Sequence, residues 1–394
     1  MSNVVRSIGR RRVLAGAGAA LLVGALDGCT VPLPPARVAP ATDRLQLPPL
    51  RAEIERITAI TVCTRPFRPE GPRLDVERVG NQTVVHNYGH GGSGWSLSWG
   101  SSTIATDKAL ATGERDIAVI GCGALGMTSA LLLQRAGARV TIYAKELPPN
   151  VRSFLASGVW SPDSRICLDE NATPSFKRLW EGMARRSWQT YQTLLGLPGE
   201  PVEYIDEYYV FDAAASASNR DSHADGRPPF AQLERELLPD LTPRPKEVVP
   251  GSHPFGSRTV LNTSRMMFNI SAYSRLLMSD FQANGGKIEV VEFRSPADLS
   301  ALRQKTIINA TGYGARALFG DQSIVPVRGQ LARMIPQPDI HYGLFYQNVS
   351  FLPRRDGLVF QAIGENDYYG FGDDTTVPDR AEAERAVRTI AALY

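Results

Sequence analysis

Ile117-Ala118-Val119-Ile120-Gly121-Cys122-Gly123-Ala124-Leu125-Gly126 is the stretch that decides the fold. Four apolar residues without alternation read as a strand covered on both faces, as in a parallel sheet. A Gly-x-Gly-x-x-Gly turn follows directly, then a helix over Met127 to Arg135 and a second strand over Val140 to Tyr143. That context makes the glycines meaningful. Gly121 permits the tight turn, Gly123 lets the backbone approach a pyrophosphate, and Gly126 lets the helix pack closely on the sheet. Ala124 and Leu125 stand at the positive helix end, where the pyrophosphate is expected. Glu146, 20 residues after Gly126, is the natural acceptor for a ribose hydroxyl, and the adjacent Lys145 keeps the ribose partner open. FAD and nicotinamide dinucleotides both fit this unit.

Working outward, the 394-residue chain is 43% hydrophobic and 21% charged, an ordinary soluble composition. A net charge of +3 is too small to argue for nucleic acid or a membrane surface. Much of it lies at Arg6, Arg10, Arg11 and Arg12, with no acid before Asp27. Arg10-Arg11-Arg12-Val13-Leu14 fits a twin-arginine export signal, and the apolar run Val13 to Leu26 suits a signal core better than a membrane span. Leu26-Asp27-Gly28-Cys29 resembles a lipoprotein cleavage box, although Asp27 departs from the usual small residue; a lipid anchor at Cys29 is left open. These features predict a signal over 1–29, a partnership with the twin-arginine machinery, and a periplasmic or extracytoplasmic location. The Pro/Ala-rich stretch from Pro32 to Pro49 reads as a tether, so residues 30–53 are set apart and regular structure is expected from Ile54. Cys63, Cys122 and Cys167 show no metal spacing and read as small buried hydrophobes.

Further strands are expected at Ile57 to Cys63, Gln82 to Val85, Val202 to Phe211, within Val248 to Met267, and at Lys287 to Val291, Thr306 to Asn309, Leu344 to Leu352 and Leu358 to Ile363. Helices are expected at Thr103 to Ala111, Pro174 to Leu195, Ala272 to Ala283 and Arg380 to Leu393. No internal repeat is found.

A second glycine cluster is more specific. Val84-Val85-His86-Asn87-Tyr88-Gly89-His90-Gly91-Gly92-Ser93-Gly94-Trp95 carries four glycines within six positions, exposing backbone groups that can hydrogen-bond a heteroaromatic ring. Ser96 adds a hydroxyl. His86 and His90 lack a carboxylate or cysteine at ligand spacing, so no metal is expected. This string resembles the signature of the D-amino-acid oxidase family. Other segments agree: Thr64-Arg65-Pro66-Phe67-Arg68-Pro69, Ile142 to Pro149, Gly158-Val159-Trp160-Ser161-Pro162, Asn309-Ala310-Thr311-Gly312 and Val327-Arg328-Gly329-Gln330.

The resemblance implies an α/β fold in which a Rossmann-like FAD-binding domain (about 70–170 and 285–330) is interleaved with a β-rich substrate-binding domain (about 54–69, 171–284 and 331–394). It implies FAD, an amino-acid substrate and molecular oxygen, with hydride passing from the α-carbon to the flavin. Arg65 would hold the substrate carboxylate, the Gly92 carbonyl the amine, and Tyr346 would supply a hydroxyl, while Ser350 falls where the family has a second tyrosine. Gly89, Gly91, Gly92, Ser93, Gly94, Trp95, Ser96, Trp160 and Phe293 join the cofactor set. Arg152 and Ser153 stand in place of the family's threonine-rich turn beside the phosphates. Segment order differs from the family's: the arginine and glycine-cluster segments precede the βαβ unit, as a circular permutation predicts. Oxidation of another amine (glycine, a secondary amine or D-aspartate) and flavin binding without turnover stay open.

Overall fold

The computed structural model describes residues 44–212 and 226–394. The signal, the Cys29 box and most of the tether lie outside them. In chain order the strands and helices are β1 (Ile57–Phe67), β2 (Val76–Val79), β3 (Gln82–His86), α1 (Ser98–Leu110), β4 (Asp116–Ile120), α2 (Ala124–Arg135), β5 (Arg139–Ala144), α3 (Pro174–Gln192), β6 (Val202–Phe211), α4 (Leu233–Leu237), β7 (Lys246–Glu247), β8 (Thr259–Phe268), α5 (Ile270–Ala283), β9 (Lys287–Val290), β10 (Thr306–Asn309), α6 (Ala315–Leu318), β11 (Val325–Met334), β12 (Tyr342–Tyr346), β13 (Val349–Leu352), β14 (Leu358–Ala362) and α7 (Arg380–Ala391).

They form two sheets. The first runs β2-β3-β10-β4-β5-β9 and is parallel except for β2 on β3. Its central strands are apolar because both faces are covered, one by helices and the other by Leu299, Leu302, Phe293 and Phe319, which pack against Val84, Ala118, Ile120 and Ile307. Ile117, Ala118 and Val119 are fully buried, and α1, α2 and α5 pack through Ala105, Met127, Ala130, Leu133, Leu277 and Phe281. Full burial of one such aliphatic side chain contributes about 1.5–3 kcal/mol.

The second sheet runs β1-β11-β14-β13-β12-β6-β8-β7, antiparallel apart from β12 on β6. Its far face is covered by α7, whose Ala383, Ala386, Val387 and Ile390 recur at helical spacing and are buried. Asp379 caps that helix by accepting from the Glu382 N–H at 3.0 Å.

The expected elements are present with shifted ends, except that the strand expected over Leu344 to Leu352 is a hairpin of β12 and β13, turning at Gln347 and Asn348, which both have positive φ. β1 runs through Pro66 to Phe67, past the expected end at Cys63. Proline is tolerated there because β1 is the edge strand of its sheet, with β11 as its ladder partner. Order also begins before Ile54. Leu45, Leu47 and Leu50 pack beside α7, and Tyr342 Oη donates to the Pro48 carbonyl at 2.6 Å. The apolar residues spaced among the prolines give this end of the expected tether something to bury.

Candidate active site

A cavity of about 900 Å³ lies between the carboxyl ends of the parallel strands and one face of the second sheet. Ligands of open parallel sheets sit at that edge. At one end it is lined by Gly121, Gly123, Ala124, Leu125, Lys145, Glu146 and Phe293. Arg152 and Ser153 lie along it, and Arg65, Gly89, Gly91, Gly92, Gly94 and Trp95 close the other end. Segments far apart in sequence thus meet because β1 joins the second sheet while β3 joins the first.

The dinucleotide end is sterically specified. Gly121 has φ 106° and a β-carbon on it would stand 2.5 Å from the Ala310 carbonyl oxygen. A β-carbon on Gly126 would collide with the Gly121 carbonyl, so Gly126 lies under the turn and keeps α2 close to β4 without lining the cavity. Ser153 Oγ accepts from the Ala124 N–H at 3.1 Å, leaving its own proton for an acceptor in the cavity. The Arg152 guanidinium sits 5.0 Å from the Tyr313 ring centre, at the cavity wall. Lys145 and Glu146 are exposed at the rim, with Lys145 Nζ 3.6 Å from Glu292. The depth, the helix N-terminus at the cavity wall and the Ser153 hydroxyl proton suit a dinucleotide such as FAD.

The glycine cluster packs on residues 164–165. The Gly92 N–H donates to the Ser164 carbonyl at 2.8 Å, and a β-carbon on Gly91 would collide with the Arg165 carbonyl. Both histidines are structural. His86 bridges Asn309 (3.0 Å) and Glu77 (2.9 Å), and His90 Nε2 is 2.7 Å from Ser101 Oγ.

Arg65 is the chemical centre of the far end. Its Nη1 donates to the Arg328 carbonyl at 3.1 Å, and no carboxylate lies within ion-pair distance among the described residues. Burial lowers its pKa, partly offset by Cys63 and Asp367, yet an arginine stays cationic. Cys63 lines the cavity two residues before it, so it is not merely a core hydrophobe; burial raises its pKa. Cys122 and Cys167 are buried.

Several expected residues fall elsewhere. Tyr346 lies on the opposite face of the second sheet, among Tyr208, Phe255 and Leu344, and its hydroxyl donates to Asp212 at 3.0 Å. The reason is the two-residue period of a strand, which turns neighbouring Phe345 and Tyr346 to opposite faces. Ser93 Oγ donates to the Ser164 carbonyl (3.2 Å), and Ser96 Oγ accepts from the Ser161 N–H (2.9 Å). Trp160 is buried against Tyr191. None of these lines the cavity. Gly329, Leu331 and Gln361 do, and were not anticipated as site residues. A glycine within the apolar strand 325–334 was the available signal for the first.

The family described as DAO, FAD dependent oxidoreductase, matches residues 116–394. The chain is 28% identical over 288 residues to a D-amino-acid oxidase of Streptomyces coelicolor, covering 71% of this chain and 78% of that protein. It is 27% identical over 285 residues to a D-amino-acid oxidase of Rubrobacter xylanophilus, covering 70% and 76%. The crystal structure of an iminodiacetate oxidase from Chelativorans sp. BNC1 superposes with a TM-score of 0.49 at 16% identity, covering 70% of this chain and 78% of that one.

Proposed function

The chain belongs to the DAO family of FAD-dependent oxidoreductases, and from that membership we propose that it oxidises D-amino acids to imino acids, which hydrolyse to keto acids and ammonia, with oxygen reduced to hydrogen peroxide. The observation that carries the substrate class is Arg65, a half-buried cation at the cavity end beside the glycine cluster with no carboxylate of the described chain on it. A substrate carboxylate supplies the missing partner through a bidentate fork.

FAD supplies the acceptor for the α-hydride. The protein's own contribution is position. Arg65 anchors the carboxylate, and the Gly92 carbonyl is the proposed acceptor for the amine, so one face of the α-carbon is held toward the ring. Gly121, Gly123 and the α2 N-terminus, with Ser153 and Arg152, are the proposed pyrophosphate holders, and Glu146 or Lys145 meets the ribose. No side-chain base is required when the amine arrives neutral.

Anaerobic mixing of the yellow holoenzyme with D- and L-amino acids tests this. Bleaching by D-isomers alone is expected; bleaching by L-isomers alone, or by none, overturns it.

The segment order is proposed to be a circular permutation. Its support is that the family match begins at residue 116 while β1 and β3, which precede it, are strands of the two sheets. Residues 45–54 also pack beside α7. Export through the twin-arginine route, with an anchor at Cys29, is proposed from residues 10–29 alone. Cell fractionation of the wild type and Cys29→Ala tests it: membrane retention of the first and release of the second are expected.

A further inference from the structure

Gln361 is a polar side chain that finds no hydrogen-bond partner among the described residues. It is 6% exposed and lines the cavity. It lies on β14 directly opposite Ser350 of β13, whose hydroxyl is likewise without a partner there. The Ala332–Phe360 pair of β11 and β14 sets Gln361 beside Leu331, another cavity residue. Leu331 is two residues from Gly329, over which the Arg65 guanidinium rests. Strand geometry therefore separates the backbones of Gly329 and Gln361 by about 7 Å along the strand and about 5 Å across one strand gap. An α-amino acid held at Arg65 by its carboxylate has its side chain within reach of that amide.

We propose that Gln361 selects the substrate side chain, favouring amino acids whose side chain is uncharged and hydrogen-bonding, an amide or a hydroxyl. This rests on the amino-acid oxidase reading above. An amide both donates and accepts, so it pairs with either group. An apolar side chain would leave the amide desolvated and unpaired, which sites of this kind reject strongly. For a side-chain carboxylate the neighbouring cations are already committed among the described residues: Arg165 is held 3.5 Å from Asp367, and Arg152, which lines the cavity without an ion pair, is assigned above to the pyrophosphate. For a side-chain ammonium, the acids that line the cavity, Glu146 and Glu292, lie at the dinucleotide end, and Asp367 is engaged by Arg165.

The test is anaerobic flavin reduction of holoenzyme by D-glutamine, D-asparagine and D-serine against D-leucine, D-methionine and D-alanine, in wild type, Gln361→Leu and Gln361→Met. Wild type is expected to favour the polar group. Either variant should lose about 10- to 100-fold in kcat/KM on that group, with the apolar group unchanged or improved and the flavin spectrum unaltered. A wild type that prefers apolar side chains overturns the assignment, as does a variant that loses both groups equally. A wild type that no amino acid reduces overturns the oxidase reading and this assignment together. Should neither variant fold, the wild-type preference alone decides.

Discussion

The guanidinium of Arg65 lies against the bare α-carbon of Gly329: a β-carbon there would stand 2.5 Å from Nη2 and 2.6 Å from Nη1. Arg65 pairs with Val327 and Cys63 with Gly329 in the β1–β11 ladder, so the side chain folds back over a position that only glycine leaves open. Position, more than charge, is what Gly329 secures.

Gly329→Ala is expected to push the guanidinium toward the cavity by about an ångström, a misplacement that costs on the order of 100-fold in catalysis. Arg65→Ala should raise KM about 10- to 150-fold, since a charge-assisted bond is worth about 1.5–3 kcal/mol. In both variants the bound flavin absorbance should persist. Loss of flavin from Arg65→Ala, or unaltered kinetics in Gly329→Ala, would contradict the assigned geometry.

Gly126→Ala tests the dinucleotide end. Its β-carbon would meet the Gly121 carbonyl, which is backbone and has no easy escape. Overpacking of about 1–3 kcal/mol is expected, with lower FAD occupancy in the purified protein and a lower melting temperature. Gly182→Ala is the control, because that α3 position has no atom within 4 Å of the added carbon. It should stabilise by about 0.5–1 kcal/mol through helix propensity. Equal behaviour of the two variants would remove the packing argument.

Tyr346→Phe separates the corrected placement from the expected one. The hydroxyl serves Asp212 on the α7-covered face, and Arg258 Nη2 donates to it at 3.4 Å. Deleting it should cost about 0.5–1.5 kcal/mol of stability and leave flavin reduction within a few-fold of wild type. A large fall in the reduction rate would return Tyr346 to the active site.

What the chain disclosed in advance follows from where local pattern suffices. The β4–α2–β5 unit was legible because Ile117 to Ile120 and the three glycines each obey a steric demand that neighbours in sequence impose. Thr306 to Asn309 and Val202 to Phe211 were legible as strands by length and apolarity. Which face Tyr346 or Gln361 presents was not, because a strand's facing depends on ladder register, for Tyr346 with the distant β6 and for Gln361 with β11 across the intervening β12–β13 hairpin. Trp160 and Ser96 share segments with the cavity, yet their side chains are taken by Tyr191 and the Ser161 N–H, partners that segment likeness does not reveal.

His90 supplies the pH dependence of stability. Ser101 Oγ donates to Asn87 Oδ1 at 2.6 Å, so His90 Nε2 must be the donor to Ser101, which leaves Nδ1 as a buried acceptor without a partner among the described residues. Burial pushes its pKa down to about 3, against an ordinary value of 6.5. The folded protein therefore holds a neutral ring where the unfolded chain binds a proton. Its contribution to stability is complete above about pH 6.5 and is lost progressively as the pH falls toward 3. Within that window each pH unit costs about 1.4 kcal/mol from this group. His86, whose pKa burial also lowers, adds in the same direction. Urea unfolding of holoenzyme at pH 7.5, 6, 5 and 4.5 should show wild-type stability falling more steeply than that of His90→Gln, whose amide does not titrate. Parallel pH profiles for the two proteins would mean that the ring is solvated and able to take a proton in the folded state.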